Sequence, residues 1–333
     1  MKKFLNNPED FVDEMLEGIY LAHPEVTHVG DDLRCFVRTN PVPGKVGLVT
    51  GGGSGHLPLF LGFVGENMLD GAGVGGVFQS PSSEQVLDVT RHVDQGAGVL
   101  YLYGNYSGDL MNFDMAGELA DLEGIRTMTV LGRDDVASSV VGEEHKRRGV
   151  AGIFFAYKAA GAAAAAMKPL DEVARLAEKA SARTRTIGVA LSPCIVPEVG
   201  RPSFQIGADE MEIGMGIHGE PGITRKTLTP ANEMVDEMMS RILAEQSYET
   251  EKDVAVLING LGATPLEELY VIYRRTAQVL DQAGARIRHV FIGEFATSME
   301  MAGASISVLQ MDDELQPLIA MGANTPFFKH IAQ

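Results

Sequence analysis

The chain has 333 residues, enough for two domains of about 150 residues each and for a core that needs no disulfide cross-links. Its composition, 45% hydrophobic and 22% charged, is typical of globular proteins and excludes wholesale disorder and fibrous rods. The net charge of −18 disfavours nucleic acid and anionic membranes as ligands. We therefore expect a small-molecule ligand, or a protein partner with basic contact patches.

The N-terminal segment and the cysteines predict a cytoplasmic protein. Residues 1–10 lack the apolar region and cleavage site of a signal peptide, and no run of about eighteen apolar residues occurs in the sequence. Cys35 and Cys194 are far apart and match no CxxC spacing, which favours buried free thiols over a redox or metal site.

The first half of the sequence alternates predicted helices with short apolar strands. An amphipathic helix capped by Asn7, with Pro8 as its first residue, is expected to end near His23. The elements expected next are strand 45–50, helix 82–94, strand 98–103, helix 112–123 and strand 126–131. Loops that leave the carboxyl ends of parallel strands converge on the ligand, so loops 51–56 and 104–109 should form one site. The glycine cluster 73–76 is interpreted as a tight connection.

The second half continues the alternation. Two alanine-rich helices are expected within 156–185, and a cluster of prolines after strand 186–191 marks the approximate domain boundary. The remaining predicted elements are helix 230–243, strand 253–259, helix 266–283, strand 286–292 and strand 305–310. This order predicts an α/β fold with two α/β domains, 1–190 and 191–333, whose mixed, largely parallel sheets are flanked by helices.

The glycine-rich segments do not carry the standard nucleotide-binding motifs. In segment 51–56 (GGGSGH), His56 stands where the third glycine of a dinucleotide-binding loop belongs, and no GxxxxGK[ST] motif occurs. This disfavours a nicotinamide-dependent dehydrogenase. Glycines directly after a strand still allow backbone N–H groups to approach a small ligand, although the glycines alone favour a tight strand-to-helix turn.

Two histidines and one aspartate are the candidate chemical groups. His56 ends the first glycine loop, and His218 lies among glycines beside Glu220, which could orient its imidazole for attack on a carbonyl. A turn in a β-hairpin is the alternative interpretation of His218. Asp109 is a candidate general base, with a helix N-cap as its alternative. No histidine pair has metal-ligand spacing, and we expect no metal bound directly by this chain.

Four segments together resemble the substrate-binding K subunit of dihydroxyacetone kinases. They are 51–56 (GGGSGH), 105–109 (NYSGD), 216–222 (GIHGEPG) and 261–265 (LGATP), and their order and spacing agree across nearly the whole chain. The resemblance implies that a small ketose is held as a covalent hemiaminal on His218. It also implies that His56 hydrogen-bonds the substrate, that Asp109 takes the proton from the terminal hydroxyl, and that Gly53 offers its backbone. The full set of candidate site residues is Gly53, Ser54, Gly55, His56, Gly104, Asp109 and His218.

The same resemblance implies a division of labour between subunits. ATP or ADP and Mg²⁺ are expected on a separate L-type subunit, and in many bacteria a phosphotransferase-system protein supplies the phosphoryl group. The K subunit is similar in fold to the two α/β domains expected here and is usually a homodimer. We therefore expect no cofactor on this chain itself.

Two positions depart from the pattern of well-known family members. They carry Lys where this chain has Gly104, and Glu where it has Leu57. Loss of a lysine removes a positive charge and a long side chain, so the pocket is expected to accept a longer ketose such as erythrulose. Relatives of the K subunit also include ketose sensors that act with a transcription regulator, and this function stays open as a second class. The presence of Asp109 and His56 favours the enzyme.

Overall fold

The computed structural model describes residues 2–246 and 252–332. Its α-helices are α1 (Phe11–Ala22), α2 (Ser83–Val93), α3 (Ser107–Leu122), α4 (Ile153–Ala165), α5 (Leu170–Ala182), α6 (Ala231–Glu245), α7 (Leu266–Gln282) and α8 (Leu315–Ala320). Its strands are β1 (Val26–Val29), β2 (Asp32–Arg38), β3 (Gly47–Gly53), β4 (Gly71–Gly75), β5 (Val99–Gly104), β6 (Thr127–Gly132), β7 (Thr184–Ala190), β8 (Glu210–Ile213), β9 (Thr224–Thr227), β10 (Lys252–Gly260), β11 (Ala285–Gly293), β12 (Gly303–Gln310), β13 (Ala323–Asn324) and β14 (Lys329–His330).

The first sheet has six strands in the order β1-β2-β4-β3-β5-β6. Strands β4, β3, β5 and β6 run parallel to one another, whereas β1 and β2 form an antiparallel hairpin that joins β4 at one edge. Because β3 and β5 are parallel neighbours, their carboxyl ends lie at the same edge of the sheet, which is where the predicted glycine loops begin.

The second sheet also has six strands, in the order β11-β10-β12-β7-β8-β9, but only β10 and β11 are parallel. The predicted α/β class with two mixed sheets flanked by helices is confirmed, with parallel pairing concentrated in the first sheet. The domain boundary near 190 stays a prediction. Strand β7, which ends there, pairs with β12 and β8 in the second sheet.

A continuous apolar core connects the two halves. It includes Leu16 on α1, Leu48 on β3, Leu257 on β10 and Leu315 at the start of α8, all fully buried. Helix α4 is buried along almost its whole length, because its alanines allow close packing against α5 and α8. Among the described residues, no helix combines the length and the apolarity needed to cross a bilayer. Cys35 and Cys194 are buried free thiols, as predicted.

Three predictions in the first 80 residues were wrong. Helix α1 begins at Phe11 rather than Pro8, and the side chain of Asn7 does not cap it but accepts a hydrogen bond from the Glu9 amide. Strand β3 continues through the glycines to Gly53, instead of stopping before them. The glycine cluster interpreted as a tight connection belongs to the buried strand β4, which the pattern of apolar side chains could not reveal.

Candidate active site

A cavity of about 400 Å³ lies at the carboxyl edge of the first sheet. The predicted convergence of two segments is found there, since Gly53 at the end of β3 and Asp109 in α3 line the same space. The hairpin that carries His218 covers this edge from the second sheet. The residues that line the cavity are Gly53, Phe78, Gln79, Ser80, Tyr106, Ser107, Gly108, Asp109 and His218.

The segment 51–56 brings backbone to the cavity wall at Gly53 and places the imidazole of His56 directly behind that wall, against Phe78 and His218. A Cβ at Gly53 would lie 2.6 Å from the Cα of Phe78, so only glycine allows this close approach of two backbones. Residues Ser54–His56 form a 3₁₀ turn after β3, which places His56 in the interior, where its side chain is buried.

His56 is a neutral imidazole of defined tautomer. Its Nδ1 lies 2.7 Å from the carbonyl oxygen of Thr297, which can only accept, so Nδ1 carries the proton. Burial, and the nearby charge of His218, lower the pKa of His56 to about 3. Its Nε2 is buried and has no hydrogen-bond partner. That nitrogen is therefore an unused hydrogen-bond acceptor.

His218 lies in the loop of an antiparallel hairpin formed by β8 and β9. The hairpin interpretation of this segment is confirmed for the backbone, while the side chain lines the cavity. Glu220 contacts the histidine twice: one carboxylate oxygen accepts from the His218 amide at 2.9 Å and the other lies 3.0 Å from Nδ1. These contacts orient the ring and leave Nε2 as the nitrogen that can react.

Aromatic rings hold the two histidines against each other. The ring of His218 stands edge-on to His56 at a centroid distance of 4.6 Å, and edge-on to Tyr106 at 4.8 Å. The ring of Phe78 stacks on the ring of His56 at a centroid distance of 4.8 Å. This packing fixes the position of both imidazoles without using a hydrogen bond to either Nε2 atom.

A chain of charges supports Glu220. Arg148 lies 3.9 Å from this carboxylate and is itself bound to Asp135 at 2.8 Å. Burial acts to raise the pKa of Glu220, but the hydrogen bond and charge of His218 and the charge of Arg148 outweigh it and hold the pKa at about 2. A Cβ at Gly216 would lie 2.5 Å from a guanidinium nitrogen of Arg148, so a glycine there gives the ion pair its space.

Asp109 is the third residue of α3, whose N-cap is Tyr106, so the N-cap interpretation of this aspartate is wrong. The carboxyl group is buried at the cavity wall, and its Oδ1 has no hydrogen-bond partner. Burial raises the pKa of Asp109 to about 6, although a hydrogen bond from Ser80 and the charge of His218 act in the opposite direction. A carboxylate with this pKa can accept a proton near neutral pH.

The remaining predicted site residues lie outside this cavity wall. Ser54 and Gly55 line a second cavity of about 460 Å³ on the other side of the glycine segment, together with Leu57. Gly104 ends β5, and a Cβ there would meet the ring of Tyr106 at 3.0 Å. Any effect of a side chain at position 104 on the cavity would therefore pass through Tyr106.

Sequence reasoning missed four residues of the site. Phe78, Ser80, Tyr106 and Arg148 contact or support the predicted groups. Tyr106 lies in the segment 105–109 that carries the family resemblance, but no chemical pattern marks the other three. The available signal for Tyr106 was its place in that segment, between two predicted site residues. In the described part of the chain, no group of three or more His, Cys, Asp or Glu side chains is arranged to hold a metal ion.

Comparison with known proteins identifies the family. The Dak1 domain matches residues 17–327. The dihydroxyacetone-binding subunit DhaK of the PTS-dependent dihydroxyacetone kinase 1 from Listeria innocua is 45% identical over 94% of this chain and 95% of its own length. A D-erythrulose kinase from Mycolicibacterium smegmatis is 41% identical over 99% of this chain, which spans 57% of that longer protein.

Solved structures agree with this assignment. The dihydroxyacetone kinase from C. freundii, in complex with AMP-PNP and Mg²⁺, superimposes with a TM-score of 0.91 at 30% identity, and 99% of this chain spans 61% of that one. The dihydroxyacetone kinase operon co-activator Dha-DhaQ superimposes with a TM-score of 0.89 at 31% identity over 96% of this chain and 98% of its own. The chain is similar to these ketose kinases and to this co-activator, and it belongs to the Dak1-domain family.

Proposed function

We propose that this chain is the ketose-binding subunit of a dihydroxyacetone-type kinase, and that it holds its substrate as a covalent hemiaminal on His218. The observation that carries the proposal is the placement of His218 and Asp109 on the wall of one cavity. A group suited to attack a carbonyl and a group suited to accept a hydroxyl proton thus face the same small space.

The covalent step uses the free nitrogen of His218. Nε2 attacks the ketose carbonyl carbon, the new N–C bond forms as the carbonyl π bond breaks, and the oxygen takes up one proton from solvent. The ring becomes positively charged, and the Glu220 carboxylate at Nδ1 stabilises that charge. Such a tether selects a ketose over glycerol, which has no carbonyl, and fixes the terminal hydroxyl for reaction.

Asp109 then activates the terminal hydroxyl. Its unpartnered Oδ1 is the acceptor for the hydroxyl proton as the oxygen attacks phosphorus. The neutral His56 accepts a hydrogen bond from the substrate through Nε2, and Gly53 brings its backbone to the ketose without a side chain between them. Gly104, Ser54 and Gly55 do not line the cavity, and in this proposal they support the residues that do.

The nucleotide belongs to a partner in this proposal. ATP or ADP and Mg²⁺ bind an L-type subunit, which passes the phosphoryl group to the ketose held by this chain. The support is that a similar kinase is described with AMP-PNP and Mg²⁺ and that this chain spans only 61% of it. Phosphotransferase-system dependence is named for the Listeria innocua relative, which makes such a protein a candidate phosphoryl donor. We further propose that the chain is cytoplasmic and forms a homodimer. Light scattering of the purified chain measures the oligomeric state.

A four-carbon ketose is a second candidate substrate. Erythrulose kinases at 41% identity match as much of this chain as the dihydroxyacetone-binding subunits do. Gly104 supports this candidate. A side chain at this position would contact the ring of Tyr106 and could push it toward the cavity, and glycine avoids that contact. Gly104→Lys is therefore expected to lower kcat/KM for erythrulose about tenfold more than for dihydroxyacetone. An equal effect on both ketoses would contradict the role of this position.

A ketose sensor is the candidate from a different functional class. It is favoured by the likeness to the operon co-activator, which covers almost the whole of both chains. A sensor requires a pocket that binds the ketose, but it does not require a base positioned for the terminal hydroxyl. The buried Asp109, with its raised pKa and free oxygen, therefore favours the kinase.

Turnover with a partner tests the proposal. The purified chain is combined with Mg²⁺ and an L subunit from the Listeria innocua or Escherichia coli kinase. The phosphoryl donor is either ATP or phosphoenolpyruvate with the phosphotransferase-system proteins of that kinase. Ketose phosphate is measured for dihydroxyacetone and both erythrulose enantiomers. Phosphorylation that requires both proteins supports the kinase. Ketose binding without phosphorylation with either L subunit would favour the sensor, and a clear preference for dihydroxyacetone would remove the erythrulose candidate.

A further inference from the structure

Helix α3 carries an exposed apolar face that its own fold does not explain. Met111 is 72% exposed and Leu122 is 83% exposed, although large apolar side chains rarely stand this free on a helix that also packs on the sheet. Met115 and Leu119 lie between them at helical spacing and are also exposed. These four residues, here called the α3 face, form one stripe along the helix.

The α3 face starts at the mouth of the cavity. The first turn of the same helix supplies Ser107, Gly108 and Asp109 to the cavity wall, and Met111 follows two residues later. A protein seated on this stripe would therefore be positioned beside the hydroxyl that Asp109 is proposed to activate. This geometry suits a partner that must deliver a phosphoryl group at that place.

The charges on α3 itself are of one sign. Asp114, Glu118 and Asp121 are exposed on the same helix, which contains no lysine or arginine. Arg91 on the neighbouring α2 is already paired with Asp88 and Glu123. The surface is thus apolar along its length and acidic at its rim, and a complementary partner must be apolar with basic residues beside it.

A second copy of this chain is a poor match for the α3 face. In a two-fold symmetric dimer the same patch meets itself, so the three acidic side chains of one copy would face those of the other. Like charges at an interface oppose association, and the overall charge of −18 adds to that repulsion at long range.

We propose that the α3 face is the docking surface for the phosphoryl-donating partner subunit, which binds through apolar side chains flanked by lysines or arginines. This inference rests on the proposed kinase function, and it adds where the partner sits and what its contact surface is like. Apolar contact supplies the affinity, while the acidic rim steers the partner and makes association depend on salt.

The test measures how tightly a partner binds to variants of the stripe. The probe is the L subunit of the Listeria innocua or Escherichia coli kinase, and both its direct binding and its apparent KM in ketose phosphorylation are recorded. Met115→Lys is expected to raise both the dissociation constant of the L subunit and its apparent KM about tenfold, because it places a cation against a basic partner and removes an apolar contact. Met115→Glu is expected to weaken binding less than Met115→Lys does.

Controls separate docking from the chemistry of the site. Tyr270→Lys changes an equally exposed apolar residue on α7 and should leave KM for the L subunit unchanged. For Met115→Lys, kcat at saturating L subunit and the ketose adduct at His218 should stay within about twofold of wild type, since the cavity wall is intact. Replacing Asp114 and Glu118 by their amides should flatten the salt dependence of binding.

The outcomes distinguish the two proposals. A wild-type KM for the L subunit in both Met115→Lys and Leu119→Lys overturns the docking surface and leaves the kinase intact. A change in self-association, with unchanged affinity for the L subunit, assigns the face to a second copy and also overturns it. Failure of the wild-type chain to bind or turn over with either L subunit contradicts the docking surface and the kinase together.

Discussion

The segments 51–56 and 214–222 look alike in sequence, since each places one histidine among glycines, but they give that histidine opposite surroundings. His56 is buried, and its Nδ1 contacts an uncharged backbone carbonyl. His218 lies at the end of a hairpin with its side chain 25% exposed, and its Nδ1 contacts the carboxylate of Glu220. The two rings are only 4.6 Å apart.

This difference shows how the partner of Nδ1 sets the role of an imidazole. A carbonyl fixes the tautomer of His56 and stabilises a positive ring too weakly to offset burial, so the imidazole stays neutral and suited to accepting hydrogen bonds. A carboxylate stabilises positive charge on His218, which suits this ring to the bond formation proposed at Nε2. Glycine makes both arrangements possible, but it does not determine which one occurs.

The largest expected effect removes the group that neither histidine can replace. Asp109→Asn is isosteric and cannot accept the hydroxyl proton, so ketose phosphorylation should fall by about 10²–10⁴-fold. The adduct on His218 should form normally, because Asp109 is not part of the tether. Steady-state kinetics and intact-protein mass spectrometry check the two halves of this prediction.

Asp114→Asn is the matched control, since it makes the same change at an exposed position of the same helix and should preserve kcat measured at saturating L subunit. A rate for Asp109→Asn within about threefold of the control would contradict the role of Asp109 as the base.

The next largest effect is expected from a substitution that makes the surroundings of His218 more like those of His56. Glu220→Gln keeps a side chain of the same shape but removes the carboxylate from Nδ1 of His218. Loss of a charge-assisted hydrogen bond of about 1.5–3 kcal/mol should weaken ketose binding roughly 10–100-fold. Titration of the adduct measures this change, and the exposed Glu198→Gln serves as control. Undiminished ketose affinity would show that Glu220 does not support the tether.

The pH dependence distinguishes Asp109 from His56. The pKa of Asp109 is raised to about 6, so the carboxyl group is protonated below that pH and cannot act as a base. Below pH 6, kcat should therefore fall about tenfold per pH unit. His56, with a pKa of about 3, should add no step between pH 5 and 8.

The residual rate of Asp109→Asn measured over the same range provides the reference, because titration of the partner subunit affects both proteins equally. If the variant shows the same fall below pH 6, the step belongs to another group.

The smallest effect concerns the backbone of the first segment. Gly53→Ala places a Cβ against the backbone of Phe78, the residue whose ring stacks on His56. Overpacking of this kind costs about 1–3 kcal/mol, which lowers Tm by a few degrees. Gly18→Ala in α1, where a Cβ meets nothing within 4 Å, is the control and should not lower Tm. Thermal unfolding measures both, and an unchanged Tm for Gly53→Ala would contradict the tight approach of the two backbones.

Much of the fold could be predicted because the strongest periodic segments keep their character in three dimensions. Helix α7 and strand β12 lie within one or two residues of their predicted bounds. Strand β4 was missed because three of its five residues are glycines, and the side chains that fill the space beside Gly71 and Gly73 come from Pro81 and α2. Such a strand has no apolar pattern of its own.

The site could be predicted only as far as its reactive groups. His56, Asp109 and His218 were identified from residue type and resemblance, whereas Arg148 and Phe78 act through contacts between segments far apart in the sequence. The start of α3 was misplaced at 112, since Gly108 interrupts the helical pattern. This error made Asp109 a loop residue, whereas the helix buries its carboxyl group and raises its pKa.

The most direct test of the account is a high-resolution crystal structure of the chain soaked with dihydroxyacetone. We expect continuous density at covalent distance between Nε2 of His218 and the carbonyl carbon of the ketose, with the terminal hydroxyl beside Asp109. The His218→Ala variant should show no bound ketose under the same conditions. A ketose bound without a covalent link in the wild-type chain, or bound equally well in His218→Ala, would contradict the account.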